Sequence, residues 1–314
     1  MKKIYLMFLG TMFALCAMAQ QGKGGLVLDS AYTTDGDNAR QSKTINEYNA
    51  QKQLVASYNY NYFDENHQPL AEMRLEAKSK VTYNGSGNIT QMDTYNYANG
   101  EYTLAARLEM SDFDAATGTP KLTIMNVIDT ENPSAGLQPS MKTVVQKVGS
   151  QGREDEVVYW WENGSWTLFE TVHYDYNADG TVAKETAVMG EGEEAMTQET
   201  TYEYDANKEV TKKVVSMPAL AMYGMGESVT TYQNEYYADG NLKKVTEVGE
   251  TGTSIDYYFW GDGKAKGGVS PTTGISLARQ QMEKMQRIYN LNGRQVTNLT
   301  KGLYIVNGRK MTIK

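Results

Sequence analysis

Asp175-x-Asn177-x-Asp179-Gly180 is the sharpest chemical motif in this 314-residue chain. Oxygen donors at alternate positions before a chain-turning Gly form the first half of a calcium loop. The second half departs from that pattern: the bidentate Glu is due at Thr186, and Glu185 comes one residue early. Asp, Asn and Gly also make ordinary β-turns, and the copy of this segment at Tyr237 lacks the leading Asp. Calcium is therefore a weak candidate here, and no cofactor is the main expectation. Histidine is scarce, with His67 in Asn66-His67-Gln68-Pro69 and His173 before Tyr174. Neither a His-x-x-x-His pair nor a Gly-x-Ser-x-Gly elbow occurs, which leaves zinc or serine chemistry little material. Glu191, Glu193 and Glu194 sit in a Gly-rich stretch. Such a loop does not hold two carboxylates at the fixed separation that glycoside hydrolysis needs. Met217, Met222 and Met225 have the softness for Cu(I) but read better as a pliable apolar insert.

Aromatic residues offer a different chemistry. Tyr159, Trp160, Trp161 and Trp166 flank Asn163-Gly164. Rings on a rigid sheet stack on sugars or anchor a partner protein, although one face of such a ladder must also be core.

The element that positions these rings is a β-hairpin. Asn-Gly between alternating aromatics is a strong two-residue turn signal, because a type I′ turn needs positive φ at both central residues. That register sets Trp161 opposite Trp166, puts Tyr159 and Leu168 on the same face, and turns Trp160 to the other face. The segment Tyr97-Ala98-Asn99-Gly100-Glu101-Tyr102-Thr103-Leu104 is a second copy, 64 positions earlier than Trp161 to Leu168. Tyr97 should face Tyr102 likewise.

A second recurring element is a Tyr, a polar turn, a Gly and a new strand. It appears at Tyr83 to Thr90, Tyr174 to Val182 and Tyr237 to Leu242, with hints at Tyr48 to Leu54 and Phe113 to Gly118. In a degenerate copy from Tyr204, Lys208 replaces the Gly, which leaves Asn207 to take the left-handed position. The composition agrees, with 23 Tyr against 6 Phe and 4 Trp, a mix suited to half-buried sheet faces. The expected fold is all-β: repeated antiparallel β-hairpins forming an elongated or curved sheet, followed by a small C-terminal β-unit.

These units resemble the YD-repeat (RHS-type) class of bacterial surface proteins, whose unit reads roughly Tyr-x-Tyr-Asp-x-x-Gly-Asn-Leu. The resemblance spans Tyr48 to Gly263 and implies stacked antiparallel hairpins. Long arrays of that class curl into shells around a passenger, and this chain has too few units for one.

Lys2 and Lys3, an apolar run from Ile4 to Ala17 and Ala17-Met18-Ala19 read as a cleaved signal peptide at 1–19. The run is too short for a bilayer span and no second one exists, so no transmembrane span is expected in the mature chain. The only cysteine, Cys16, lies inside the signal, which removes disulfides and thiol chemistry from the mature protein. The organisation expected beyond it is a polar segment at 20–45, a repeat body at 46–260, a Gly-rich linker at 261–274 and a tail at 275–314.

Without the signal, 28 basic residues stand against 38 acidic ones, yet Ile275 to Lys314 carries eight basic residues against Glu283 alone. So acidic a body repels phosphate backbones, and no nucleic-acid partner is expected.

The tail string Ile288-Tyr289-Asn290-Leu291-Asn292-Gly293-Arg294, followed by Lys301-Gly302-Leu303-Tyr304-Ile305-Val306, is similar to the C-terminal sorting domains of type IX secretion cargo. Tyr289, Leu291, Gly293, Gly302, Tyr304 and Val306 carry the likeness. It implies the secretion machinery as a partner and a destination at the cell surface or outside the cell. The function expected is a non-enzymatic, surface-exposed β-repeat protein that binds an unknown surface glycan or protein or serves a structural role. An extracellular hydrolase acting on glycans is the alternative.

Overall fold

A computed structural model describes residues 22–63, 68–98, 100–129, 132–192, 195–223 and 226–263, and from the tail 288–290, 295–296, 302–306 and 309–313. The signal peptide, most of the Gly-rich linker, His67, Glu193, Glu194 and Met225 lie outside the described residues.

Hairpin follows hairpin without a crossover, and the all-β expectation holds. The strands run β1 (Val27–Asp35), β2 (Arg40–Tyr48), β3 (Leu54–Phe63), β4 (Pro69–Tyr83), β5 (Ile89–Ala98), β6 (Glu101–Phe113), β7 (Pro120–Ile128) and β8 (Leu137–Gly149). They continue as β9 (Gly152–Glu162), β10 (Ser165–Tyr176), β11 (Val182–Met189), β12 (Met196–Tyr204), β13 (Val210–Ser216), β14 (Glu227–Tyr236), β15 (Leu242–Gly249) and β16 (Gly252–Gly261).

The sheet closes on itself instead of staying open: β1 pairs antiparallel with β16, from Val27 opposite Gly261 to Asp35 opposite Ser254. An even number of meandering strands allows every pair to be antiparallel, and closure removes both unpaired edges. Tyr32 meets Phe259 edge to face across the seam at 5.9 Å, and Thr33 donates to Asp256 at 2.7 Å. The barrel therefore starts at Val27. The stretch 20–45, expected as a polar lead-in, supplies β1 and most of β2, because its Ser, Thr and Tyr residues pair on both sides. At the other end, Gly261 belongs to β16 and not to a linker.

One rim is built from a repeated turn. Asn49, Asn84, Asn177, Asp205 and Tyr237 each donate their backbone N–H to the carbonyl four residues on and accept from the N–H three residues on. Asn49, Asn84 and Asp205 also cap their turns, each side-chain oxygen accepting from two backbone N–H groups. The fourth position is left-handed: Gly87, Gly180 and Gly240 take φ of 85°, 89° and 82°. In the degenerate copy Lys208 itself takes φ 69°, and in the first copy Lys52 takes φ 61°. Asn207 does not substitute for the missing Gly, because the hydrogen-bond pattern fixes which position turns and leaves the residue there no choice.

The less exposed face changes character around the wall. Val81, Met92, Ala106, Leu108, Met125, Met141 and Val158 form an apolar cluster on β4 to β9. From β9 onward Glu156, Tyr174, Glu185, Tyr202 and Tyr232 take their places; Tyr174 stands opposite Glu185 and donates to Glu156. The strand β14 shows the alternation plainly, with Glu227, Val229, Thr231, Gln233 and Glu235 exposed and the residues between them half-buried.

The tail is a separate unit. It forms a four-stranded antiparallel sheet from β17 (Ile288–Asn290), β18 (Gln295–Val296), β19 (Gly302–Val306) and β20 (Arg309–Ile313), in the order β18-β17-β19-β20. Tyr289 stands opposite Ile305, Tyr304 opposite Met311, Gly302 opposite Ile313 and Val306 opposite Arg309. Leu291 and Gly293 lie outside the described residues.

Candidate binding face

Asn163 and Gly164 turn β9 into β10 with φ of 51° and 79°, the positive pair that a type I′ turn requires. That turn fixes the register beyond it: Trp161 opposite Trp166, Thr167 opposite Trp160 and Leu168 opposite Tyr159. Phe169 is then an extra residue in β10, and it restores the inward alternation of Glu170 and Val172.

Two aromatic clusters result, one on each face. On the more exposed face the rings of Trp161 and Trp166 meet edge to face at 4.9 Å. The ammonium of Lys142, on β8, lies 4.4 Å from the Tyr159 ring and 4.9 Å from that of Trp166. On the other face Trp160 packs edge to face on Phe169 at 5.1 Å, above Met141. Tyr159, Trp161 and Trp166 thus share a surface, and Trp160 serves the core side. Lys142 completes the surface but carries no local signal in the sequence. Only the pairing of β8 with β9, across the turn Gly149 to Gly152, brings it opposite Tyr159.

The calcium motif does not assemble. Asp175 projects with His173, 3.4 Å from its Nε2. Asn177 donates to Thr181 Oγ1 at 2.9 Å, and Asp179 accepts from the Thr181 hydroxyl at 2.7 Å. The alternation of β10 carries Asp175 away on the strand while the other two serve the turn. Among the described residues no group of three His, Cys, Asp or Glu converges as a metal site.

On the inward face, Glu156 accepts from Arg153 at 2.9 Å and from the Tyr174 hydroxyl at 2.7 Å. Glu170 and Glu185 follow on the neighbouring strands. Burial, then the neighbouring carboxylates, raises both above the usual carboxylate range. Burial raises Tyr174 and Tyr202 as well. Elsewhere, a shallow cavity of about 500 Å³ is lined by Asp35, Gln41, Ser42, Asn61 and Phe63. Its one carboxylate, Asp35, is occupied in capping the β1–β2 turn through Asp37 and Ala39.

A closed antiparallel β-barrel is compatible with a surface or outer-membrane protein. Among the described residues no helix is long and apolar enough to cross a membrane. No family model and no curated protein matches the chain. Among solved structures, a porin-like protein from Bacteroides uniformis is similar over 74% of this chain and 96% of its own, at 9% identity and a TM-score of 0.46. A protein of unknown function from Bacteroides fragilis covers 43% of this chain and 93% of its own, at 15% identity and a TM-score of 0.34. A chain of the Tc holotoxin pore of Photorhabdus luminescens covers 88% of this chain and 18% of its own, at 11% identity and a TM-score of 0.22.

Proposed function

We propose that this chain is an exported, non-enzymatic β-barrel of the cell surface that binds a glycan through the outer face of β8 to β10. The observation that carries this is the ring platform itself: Trp161 and Trp166 in edge contact, with Tyr159 beside them and Lys142 across two of the rings. Rings fixed by a closed sheet lose little conformational freedom when a sugar stacks on them.

The outer face of the later strands supports a barrel bathed in water. Lys212 pairs with Glu203 at 3.0 Å and Lys244 with Glu235 at 2.7 Å, and Lys184 pairs with Glu199. A lipid-facing wall would carry an apolar band there, where each Lys or Arg costs about 2–4 kcal/mol at the bilayer midplane. Delivery falls to the signal at 1–19 and to the sorting-like tail, and the YD-like hairpins are the scaffold that holds the rings.

The reading is tested by glycan-array screening of the purified protein beside the double variant Trp161→Thr, Trp166→Thr, which keeps β-propensity and removes the rings. Binding to one or more glycans that the variant loses is expected. Equal binding by both, or capture of proteins alone, overturns the glycan assignment. Deleting 275–314 is expected to keep the protein from the cell surface, and unchanged surface display would remove the sorting role from the tail.

A further inference from the structure

The aromatic platform is duplicated at the level of side-chain placement, and the copy includes the lysine. On β4 to β6, Lys78 stands opposite Tyr95, Tyr95 opposite Leu104, and Tyr97 opposite Tyr102. On β8 to β10, Lys142 stands opposite Tyr159, Tyr159 opposite Leu168, and Trp161 opposite Trp166. Each residue of the first set precedes its counterpart by 64 positions. Even the irregularity is copied, since Ala105 is the unpaired residue of the first hairpin and Phe169 that of the second. The contacts follow: the Tyr97 and Tyr102 rings lie 4.9 Å apart, as do those of Trp161 and Trp166. Lys78, 5.7 Å from the Tyr102 ring, keeps the counterpart of the Lys142–Trp166 contact; its other partner is Tyr58 on β3, whose hydroxyl it meets at 2.8 Å, while the Tyr95 ring lies 5.3 Å from Lys80.

From this duplication we infer a second binding station, so that the protein grips one linear, carboxylate-bearing glycan at two places. This rests on the glycan-binding reading above and specifies its ligand. Strands in a sheet lie about 4.8 Å apart, so stations four strands apart are separated by roughly 19 Å around the wall. A repeating polymer presents the same unit at both, whereas a single small sugar occupies only one.

The carboxylate follows from the lysines. Neither Lys78 nor Lys142 has an ion-pair partner among the described residues: the Lys142 ammonium rests on ring faces, and that of Lys78 donates to the Tyr58 hydroxyl at 2.8 Å beside the Tyr102 ring. The carboxylates near the first station are engaged, Asp93 by Arg107 at 2.7 and 3.0 Å and Glu47 by the Tyr58 hydroxyl at 3.1 Å. A ring face takes the apolar side of a sugar, and the ammonium beside it takes an acid group on the same residue. The acidic body does not prevent this, because charges beyond about 8 Å are screened at physiological ionic strength.

The test uses purified full-length protein and three probes: polygalacturonate, its trimer and neutral dextran. One variant disables the first station (Lys78→Ala, Tyr97→Thr, Tyr102→Thr), another the second (Lys142→Ala, Trp161→Thr, Trp166→Thr), and a third carries only Lys78→Ala and Lys142→Ala. Thermal unfolding establishes that each is folded. Calorimetry is expected to show two trimer sites on the native protein and one on either single-station variant. Polymer affinity is expected to fall at least tenfold when either station is lost, as when a linked second contact is removed, and dextran is expected to bind more weakly than polygalacturonate. If the first-station variant binds polymer like the native protein while the second-station variant does not, the second grip is refuted and the binding face stands. Equal binding of dextran, or full binding by the double lysine variant, overturns the carboxylate. Binding of none of the three probes by the native protein overturns this inference; a positive glycan array would still leave the proposed function in place.

Discussion

His173 on β10 and Asp155 on β9 face each other with Nδ1 2.6 Å from Oδ1, while Nε2 of the same imidazole lies 3.4 Å from Asp175. The hydrogen bond that its Nδ1–H donates to Asp155, then the nearby acid groups, holds His173 above its usual 6.5. On the adjacent strand Thr186 stands opposite His173 and Lys184 opposite Asp175. A folded-state value above the unfolded one means that the pair's contribution to stability is complete below about pH 6.5 and is lost as pH rises through the raised value. Both side chains are about half-exposed, so the contribution is small. In an NMR titration His173 is expected to show a midpoint above 6.5, and Asp155→Asn should bring it down further than Asp175→Asn does. A midpoint indifferent to Asp155→Asn would break the assignment.

Lys43 is the reverse case. It is only 1% exposed, its Nζ has no hydrogen-bond partner, and it lies 4.9 Å from the Tyr32 ring. Burial, then the Arg40 charge, lowers it to about 8. Between pH 8 and about 10.4 the unfolded chain holds a proton that the native one has shed, so stability should rise with pH across that window. Lys43→Met keeps the volume without the charge. At pH 7 it is expected to stabilise the protein by as much as about 3 kcal/mol in urea unfolding and to flatten the dependence between pH 8 and 10. A destabilised variant would show that the ammonium contributes more over its tyrosine than burial removes.

Lys208 and Lys52 hold left-handed positions that glycine fills in the sister turns. A side chain there costs about 1–2 kcal/mol, partly offset by the entropy that glycine loses on folding. Lys208→Gly gives up a 2.5 Å hydrogen bond to the Asp179 carbonyl at an exposed site, which is worth little. A gain of about 0.5–1 kcal/mol is expected, read as a rise in Tm. Gly180→Ala should do the opposite, since φ is 89° and the new Cβ would meet Gln151 Oε1 at 2.7 Å. Equal and unchanged Tm values would mean that the rim turns are not part of the cooperative unit.

What could be foreseen divides along sequence distance. The aromatic register around Asn163-Gly164 was legible because a two-residue turn determines every pair beyond it. Closure was not, because β1 meets β16 across more than 200 residues, and neither strand carries a local mark of its partner. The stretch around Ser30 to Thr34 reads as a polar lead-in, yet Ser30 and Thr34 are buried in the seam. Lys142 and Lys78 were missed for a related reason: a lysine on a strand reads as solvated until its cross-strand neighbour is known, although the 64-residue offset already paired the two.

The excess of tyrosine over phenylalanine has a use beyond half-burial. Tyr48 donates to the Leu28 carbonyl at 2.7 Å, Tyr83 to Leu54 at 2.9 Å, Tyr176 to Arg153 at 2.7 Å and Tyr204 to Val182 at 2.8 Å. Trp260 does the same through Nε1 to Leu242 at 2.6 Å. In each case the last or next-to-last residue of a strand ties to the start of the antiparallel strand before it, holding the rim where the ladder would fray. Each Tyr→Phe change should cost about 0.5–1.5 kcal/mol. Tyr176 and Tyr204 lie two strands apart, about 10 Å, so Tyr176→Phe and Tyr204→Phe are expected to add within a few tenths of a kcal/mol in urea unfolding. Hydrogen exchange should quicken locally, at the Arg153 end in one variant and the Val182 end in the other. Neutral substitutions would show that the hydroxyls merely occupy the rim, and that the ladder closes without them.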